Sequence, residues 1–292
     1  MKVIVVGARG LLGSDIMKFW NEGTNVDQLV PLDLPEFDFT SRIIVDQTLD
    51  ALAPDVIINA AGVNMIDYLE SHPNTARTIH SQAVVYLRNA AKRLGALLVQ
   101  IGCGEVFYST DEQDASHLRT EQPDPQSVYA KTKLESERVA LEIPLSLVIR
   151  TSTLFGEGGK NLVSSLLNAA KRTRRVQVIS DVNISPTWTA DLVRGMASLV
   201  RAGYTGLYHV ASEGAATPFD VAQTLFELKG FKQHELIPIS LKEYGVIAPQ
   251  SHNTSLDLAG YRELPDVWEM PDWKKTLNRY LLHFSQREPN HL

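Results

Sequence analysis

Val3-Ile4-Val5-Val6-Gly7-Ala8-Arg9-Gly10-Leu11-Leu12-Gly13 stands almost at the start of the chain, and its reading decides the fold. Four β-branched residues in succession make a buried strand. The glycines that follow are spaced three apart, and an apolar-periodic stretch at 10–20 begins among them. A first glycine permits a tight turn, a second lets backbone approach a pyrophosphate, and a third lets a helix pack on its strand. The helix N-terminus adds free N–H groups and partial positive charge. Between a strand and a helix this spacing points to a dinucleotide phosphate held by Gly7, Gly10, Leu11, Leu12 and Gly13, with an ordinary strand-to-helix turn as the bland alternative.

Working outward, short β-branched runs at 3–6, 28–32, 56–59, 97–101 and 145–150 alternate with helical stretches at 10–20, 41–52, 74–94 and 127–142. That rhythm predicts a doubly wound α/β fold, a parallel sheet covered on both faces. After 150 the rhythm turns irregular, with helices predicted at 162–171, 189–202 and 273–284 and strands at 176–179 and 207–210. We expect residues 1–152 to form a Rossmann-type nucleotide-binding domain, with returns at 176–182 and 189–211. A smaller α/β substrate lobe is expected from 153–175, 183–188 and 212–292.

Twenty residues beyond Gly13, Asp33 ends the second predicted strand, where a carboxylate can accept hydrogen bonds from the adenosine ribose hydroxyls. That favours NADH. Arg9, inside the glycine loop, could meet a 2′-phosphate and so favours NADPH. The cofactor is therefore NADPH or NADH. Asp38 and Phe39 either present a carboxylate and a backbone edge to adenine or simply start a turn.

Tyr129 and Lys133 lie four apart on a predicted helix and so share a face. A phenol with a pKa of about 10 is a poor proton carrier at neutral pH, but a nearby ammonium favours its phenolate. Such a pair can exchange a proton with a carbonyl or hydroxyl while a nicotinamide exchanges hydride.

Composition narrows the partners. The 292 residues are 44% hydrophobic and 21% charged, ordinary for a globular chain, with a net charge of −6 that argues against nucleic acid. The basic run Lys171-Arg172-Thr173-Arg174-Arg175 reads as a solvated helix end. One cysteine, Cys103, allows no intramolecular disulfide, and no run of eighteen apolar residues suggests a membrane span. We expect a cytoplasmic monomer or homodimer. His72, His117, His209, His234, His252, His283 and His291 are scattered, without metal-ligand spacing.

Taken together, the glycine loop and Tyr129-x-x-x-Lys133 resemble the extended short-chain dehydrogenase/reductases, and most specifically the dTDP-4-dehydrorhamnose reductase family. The resemblance extends to Asn59-Ala60-Ala61-Gly62 closing a strand, Ile66-Asp67 with Glu70, Ile149-Arg150-Thr151-Ser152, Gly159-Lys160-Asn161-Leu162 and Ser185-Pro186-Thr187-Trp188. It implies that Ala60, Ala61 and Gly62 line the cofactor. It further implies that Cys103, Thr153, Asn161 and Trp188 adjoin a nucleotide-sugar substrate, and that Tyr129 and Lys133, with Cys103, carry reduction of a 4-keto sugar.

Three positions depart from that pattern. Cys103 stands where the family has a serine or threonine that bonds the keto oxygen, Thr153 replaces an aromatic residue, and His80 replaces an asparagine. A thiol donates more weakly than a hydroxyl. These departures keep two alternatives in view: an epimerase or dehydratase with bound NAD+, and a non-catalytic dinucleotide-binding regulatory subunit. For His80 a packing role is expected, and for Cys103 a small buried residue is the alternative to a catalytic one.

Overall fold

The computed structural model describes residues 1–22, 27–111 and 115–287. In chain order its first half runs β1 (Lys2–Val6), α1 (Leu11–Phe19), β2 (Gln28–Leu32), α2 (Arg42–Leu52), β3 (Val56–Asn59), α3 (Ile66–Ser71), α4 (Pro73–Ala76), α5 (Ala83–Leu94), β4 (Leu97–Cys103), α6 (Val128–Ala140) and β5 (Ser146–Thr151). Then follow β6 (Leu154–Phe155), α7 (Leu162–Arg172), β7 (Arg175–Ile179), β8 (Thr187–Trp188), α8 (Thr189–Arg201) and β9 (Gly206–His209). The remainder holds α9 (Pro218–Lys229), β10 (Glu235–Ile239), α10 (Leu241–Tyr244), α11 (Ala259–Arg262) and α12 (Trp273–Arg287).

β1 shows why both faces must be covered. Its side chains alternate, so Val3 and Val5 enter one apolar cluster while Ile4 and Val6 enter another. β3 divides the same way, with Val56 and Ile58 against Ile57, and β5 repeats it with Leu147 and Ile149 against Val148. Each such fully buried side chain contributes about 1.5–3 kcal/mol. The sheet is parallel throughout, in the order β2-β1-β3-β4-β5-β9. Because β1 lies between β2 and β3, the connections that leave their carboxyl ends diverge there and open a crevice.

Three expectations are modified. The strand predicted at 97–101 continues to Cys103, because Gly102 and Cys103 still pair with Arg150 and Thr151. The predicted 74–94 helix is interrupted: a π-helical segment, Arg77–Gln82, separates α4 from α5. Third, 176–182 does not return to the main sheet. β7 pairs instead with β10 in a separate two-stranded parallel sheet, where Val176 and Val178 bury their side chains in the second part of the chain.

β6 and β8 form another short parallel pair, Leu154 opposite Thr187 and Phe155 opposite Trp188. β9 closes the main sheet beside β5, and α8 packs on α1. At the back of α8, fully buried Asp191 accepts from Arg194 at 2.7 Å and Thr276 at 3.1 Å, and pairs with Arg279 at 3.1 Å. This carboxylate ties α8 to α12. No helix among the described residues is long and apolar enough to cross a membrane.

Candidate active site

A cavity of about 560 Å³ opens along the carboxyl ends of the central strands. Gly10, Leu11 and Leu12 form one wall, Ala60, Ala61 and Gly62 a second, and Cys103, Tyr129, Lys133, Thr153 and Asn161 lie deeper in.

The first wall tests whether a dinucleotide fits. Gly10 caps α1 with extended backbone and no side-chain cap, so the helix's first N–H groups are left for a ligand. Gly7 has φ +81°, and a Cβ there would lie 2.7 Å from the backbone of Ala61. On Gly13 a Cβ would lie 2.0 Å from the Gly7 carbonyl, so that glycine alone lets α1 seat against the turn. On Gly10 a Cβ would lie 3.2 Å from the Gly7 carbonyl oxygen, a milder conflict, and this residue borders the cavity. Turn, approach and packing are thus divided among the three glycines, as a bound pyrophosphate requires.

Beyond the end of β2 the two conflicting cues, Asp33 and Arg9, belong to one structure. The Asp33 carboxylate accepts the backbone N–H of Arg9 at 2.7 Å and that of Leu34 at 2.8 Å. Arg9 extends its guanidinium over the Leu34 carbonyl and pairs with exposed Glu36 at 3.2 Å. Asp38 accepts from the Thr40 N–H at 2.9 Å and hydroxyl at 2.6 Å, which is the turn alternative, and Phe39 packs against the apolar cluster that contains Val6. None of these four residues borders the cavity.

The second wall leads to the Tyr129 and Lys133 pair. Ser127 caps α6 by accepting the Ala130 N–H at 3.1 Å, and Glu70 accepts the Val128 N–H at 2.8 Å. These caps fix the first turn of the helix that carries Tyr129. Lys133 runs inward and donates to the Ile101 carbonyl at 2.5 Å. Burial lowers its pKa. The expectation that Lys133 would pull the Tyr129 pKa down is not met. Burial first, then the Cys103 thiol and Glu105, hold the phenol well above its usual value of about 10. Tyr129 therefore carries its proton at neutral pH. The Cys103 thiol shares a hydrogen bond with Tyr129, and burial pushes it up to about 12, so it too stays protonated.

His80 sits in the π-helical segment with both ring nitrogens engaged. Its Nε2 accepts the Val63 N–H at 3.1 Å, which places the ring proton on Nδ1, 3.1 Å from the Thr132 hydroxyl. Burial and the nearby Lys133 lower its pKa to about 3, so the ring is neutral. It stands edge-on to Tyr129, centroids 5.6 Å apart. The extra residue of a π turn is what brings the ring here.

Over residues 1–286 the chain matches the family model described as the RmlD substrate binding domain. The chain belongs to that family. Among similar proteins is a dTDP-4-dehydrorhamnose reductase from Aggregatibacter actinomycetemcomitans, 30% identical over 94% of this chain and 97% of that one. A solved dTDP-4-dehydrorhamnose reductase from Clostridium acetobutylicum superposes with a TM-score of 0.91 at 28% identity, covering 98% of this chain and 100% of the other. Another from Bacillus anthracis, in complex with NADP, gives 0.90 at 27% identity, covering 97% and 99%.

Within this RmlD-family chain one residue expected beside a substrate lies away from the cavity. Trp188 does not border the cavity. It is 3% exposed, with its ring against Phe19, Tyr280 and His283, because alternation along β8 turns it toward α1 and α12. Asn161 does border the cavity, but its side chain is occupied as the cap of α7: it accepts the Ser164 N–H at 3.0 Å and donates to the carbonyls of Gly156 and Gly159. Thr153 borders the cavity, its carbonyl accepting the Thr187 N–H at 3.1 Å.

Glu105 and Thr254 also reach the cavity and were not anticipated. Only the position of Glu105 two residues after Cys103 hinted at it; Thr254 comes from a distant segment, joined to Ser152 through their hydroxyls at 3.2 Å. Among the described residues, which exclude His291, no group of three or more His, Cys, Asp and Glu side chains could hold a metal ion.

Proposed function

We propose that this chain is an oxidoreductase of the short-chain dehydrogenase/reductase kind that reduces a nucleotide-linked 4-keto sugar, as dTDP-4-dehydrorhamnose reductases do, in deoxysugar synthesis. The carrying observation is that protonated Tyr129, Lys133 and Cys103 border one cavity with the uncapped start of α1. NADPH or NADH, when bound, supplies hydride. Gly10, Leu11 and Leu12 would hold its pyrophosphate, with Ala60 to Gly62 on the opposite wall. Arg9 can exchange Glu36 for a 2′-phosphate at little cost, since an exposed pair is worth about 0–1 kcal/mol, and this favours NADPH.

Tyr129 gives its proton to the oxygen of the ketone as negative charge develops there. The Cys103 thiol donates weakly to the same oxygen. Lys133, buried behind the phenol, offsets the charge left on Tyr129 after transfer. The single cysteine, which permits no intramolecular disulfide, fits a cytoplasmic enzyme.

Purified protein supplied with dTDP-4-dehydrorhamnose should oxidise NADPH, followed by absorbance. Tyr129→Phe should lower kcat by about 10²–10⁴ while cofactor still binds. Absence of oxidation with any keto sugar nucleotide would remove the reductase reading and leave a dinucleotide-binding subunit.

A further inference from the structure

Gly156-Glu157-Gly158-Gly159-Lys160 follows β6, leads into α7 and lies against the first turn of α1. Its glycines allow that approach. A Cβ on Gly156 would lie 3.3 Å from the Leu11 side chain, and one on Gly158 would lie 2.8 Å from the Ser14 hydroxyl and 3.3 Å from the Leu11 Cα. Gly159 turns the chain with φ +79°. Asn161 closes the loop by donating to the carbonyls of Gly156 and Gly159, at 2.9 and 3.2 Å. Glu157 fastens it to α1 by pairing with Lys18 at 2.9 Å. The backbone of Lys160 is thus fixed at the rim of the cavity whose wall is Gly10, Leu11 and Leu12.

Two lysines border that cavity among the described residues. Lys133 is buried and committed to the Ile101 carbonyl. Lys160 is exposed, and among the described residues neither a carboxylate nor a carbonyl engages its ammonium. The acid nearest to it in sequence, Glu157, is engaged by Lys18 instead. The backbone N–H groups of Gly158, Gly159 and Lys160 also donate to no protein group among the described residues, and all three residues border the cavity. A free cation and free N–H donors on a pinned loop suit an anion. A chain of net charge −6 repels polyanions at long range, so such a ligand needs a local cation.

We propose that Lys160, with the free N–H groups of its loop, holds a diphosphate in this cavity. The proposal rests on the reading given above, in which the cavity takes a dinucleotide and a nucleotide sugar, each with one diphosphate. Lysine meets phosphate as a point charge, so either ligand can be met without a fixed fork geometry. Enclosure between ligand and wall takes the ammonium out of bulk water and strengthens the pair beyond an exposed one.

The test is calorimetric titration of wild type, Lys160→Gln and Lys160→Arg with NADPH and, separately, with dTDP. Gln keeps most of the side chain's length and removes its charge. It should raise the Kd of one ligand or both by about tenfold, whereas the Arg variant should stay within about threefold of wild type. Weaker NADPH binding assigns Lys160 to the cofactor's diphosphate, and weaker dTDP binding assigns it to that of the nucleotide sugar. Raising salt from about 0.05 to about 0.5 M should narrow the gap between wild type and Gln, as screening of a charge requires. Melting curves establish folding, and Lys160→Ala is read in place of a Gln variant that does not fold. Unchanged affinity for both ligands in a folded, uncharged variant overturns the proposal, as does an Arg variant as weak as the Gln one. NADPH oxidation with dTDP-4-dehydrorhamnose is measured separately. A chain that reduces the sugar with binding unaltered by Lys160→Gln refutes this inference alone, and one that binds neither ligand refutes both readings.

Discussion

Cys103 is the residue at which the proposed chemistry is weakest. Held protonated by burial, it offers the ketone a poor donor where a hydroxyl would be stronger. A neutral hydrogen bond is worth about 0.5–1.5 kcal/mol, so Cys103→Ser should raise kcat by up to about tenfold with little change in KM. Steady-state NADPH oxidation checks this, and an unchanged or lower kcat would place the thiol away from the reacting oxygen. His80 yields a prediction about stability. Its folded pKa of about 3 lies below the ordinary value of 6.5, so between these values the unfolded chain binds the extra proton. Stability is therefore fully present above pH 6.5 and is lost as pH falls toward 3, by up to about 1.4 kcal/mol per pH unit. Urea unfolding across that window should fall more steeply for wild type than for His80→Asn; parallel curves would mean that the ring is not held neutral. The sequence exposed both positions as departures, but not their states, because burial and the approach of Lys133 depend on three-dimensional packing. The place of Trp188 away from the cavity is hidden for the same reason: a motif quotes neighbours in order, whereas a strand turns alternate side chains to opposite faces.

The turn from β1 into α1 is the element most fully legible in sequence, since each of its glycines answers a steric demand that any side chain would violate. Gly13→Ala should be worse than its small size suggests, because the new Cβ meets backbone at 2.0 Å and backbone cannot step aside. Overpacking of this kind costs about 1–3 kcal/mol, which at about 2–4 °C per kcal/mol lowers Tm by several degrees. Cofactor affinity should fall with it, since α1 must tilt. Thermal scans with and without NADPH measure both effects, and a variant that melts and binds as wild type does would contradict the contact. The π-helical segment, in contrast, left no trace in the pattern of 74–94. One inserted residue shifts the phase of a helix without altering its composition, so periodicity still read one continuous helix. β4 hid its last two residues because glycine weakens a strand signal, although Gly102 pairs normally with Arg150.

Across the whole molecule, Asp191 joins what the sequence keeps far apart. Removal of its carboxylate leaves Arg194 with Glu22 alone and takes the acceptor from Thr276 and Arg279 at the seam between α8 and α12. A hydrogen bond to a charged group is worth about 1.5–3 kcal/mol, so Asp191→Ala should lower Tm by several degrees. Differential scanning calorimetry checks this, and coincident transitions would show the cluster to be idle. The alternation of strands and helices made the parallel sheet predictable, yet it could not assign β7, because an apolar strand of that length suits either sheet until its partner β10 is known. The long return from β5 to β9 also matters while the chain is being made. The outer edge of β5 has no partner until Gly206–His209 leaves the ribosome, and α12 arrives later still. At about 5–20 residues per second a nascent chain spends some seconds with an open, apolar sheet edge, the kind of surface that chaperones cover and that aggregates when left bare. A message truncated anywhere between these two strands would thus yield a fragment that holds the whole glycine loop and the Tyr129 helix, yet is prone to precipitate before it can bind anything.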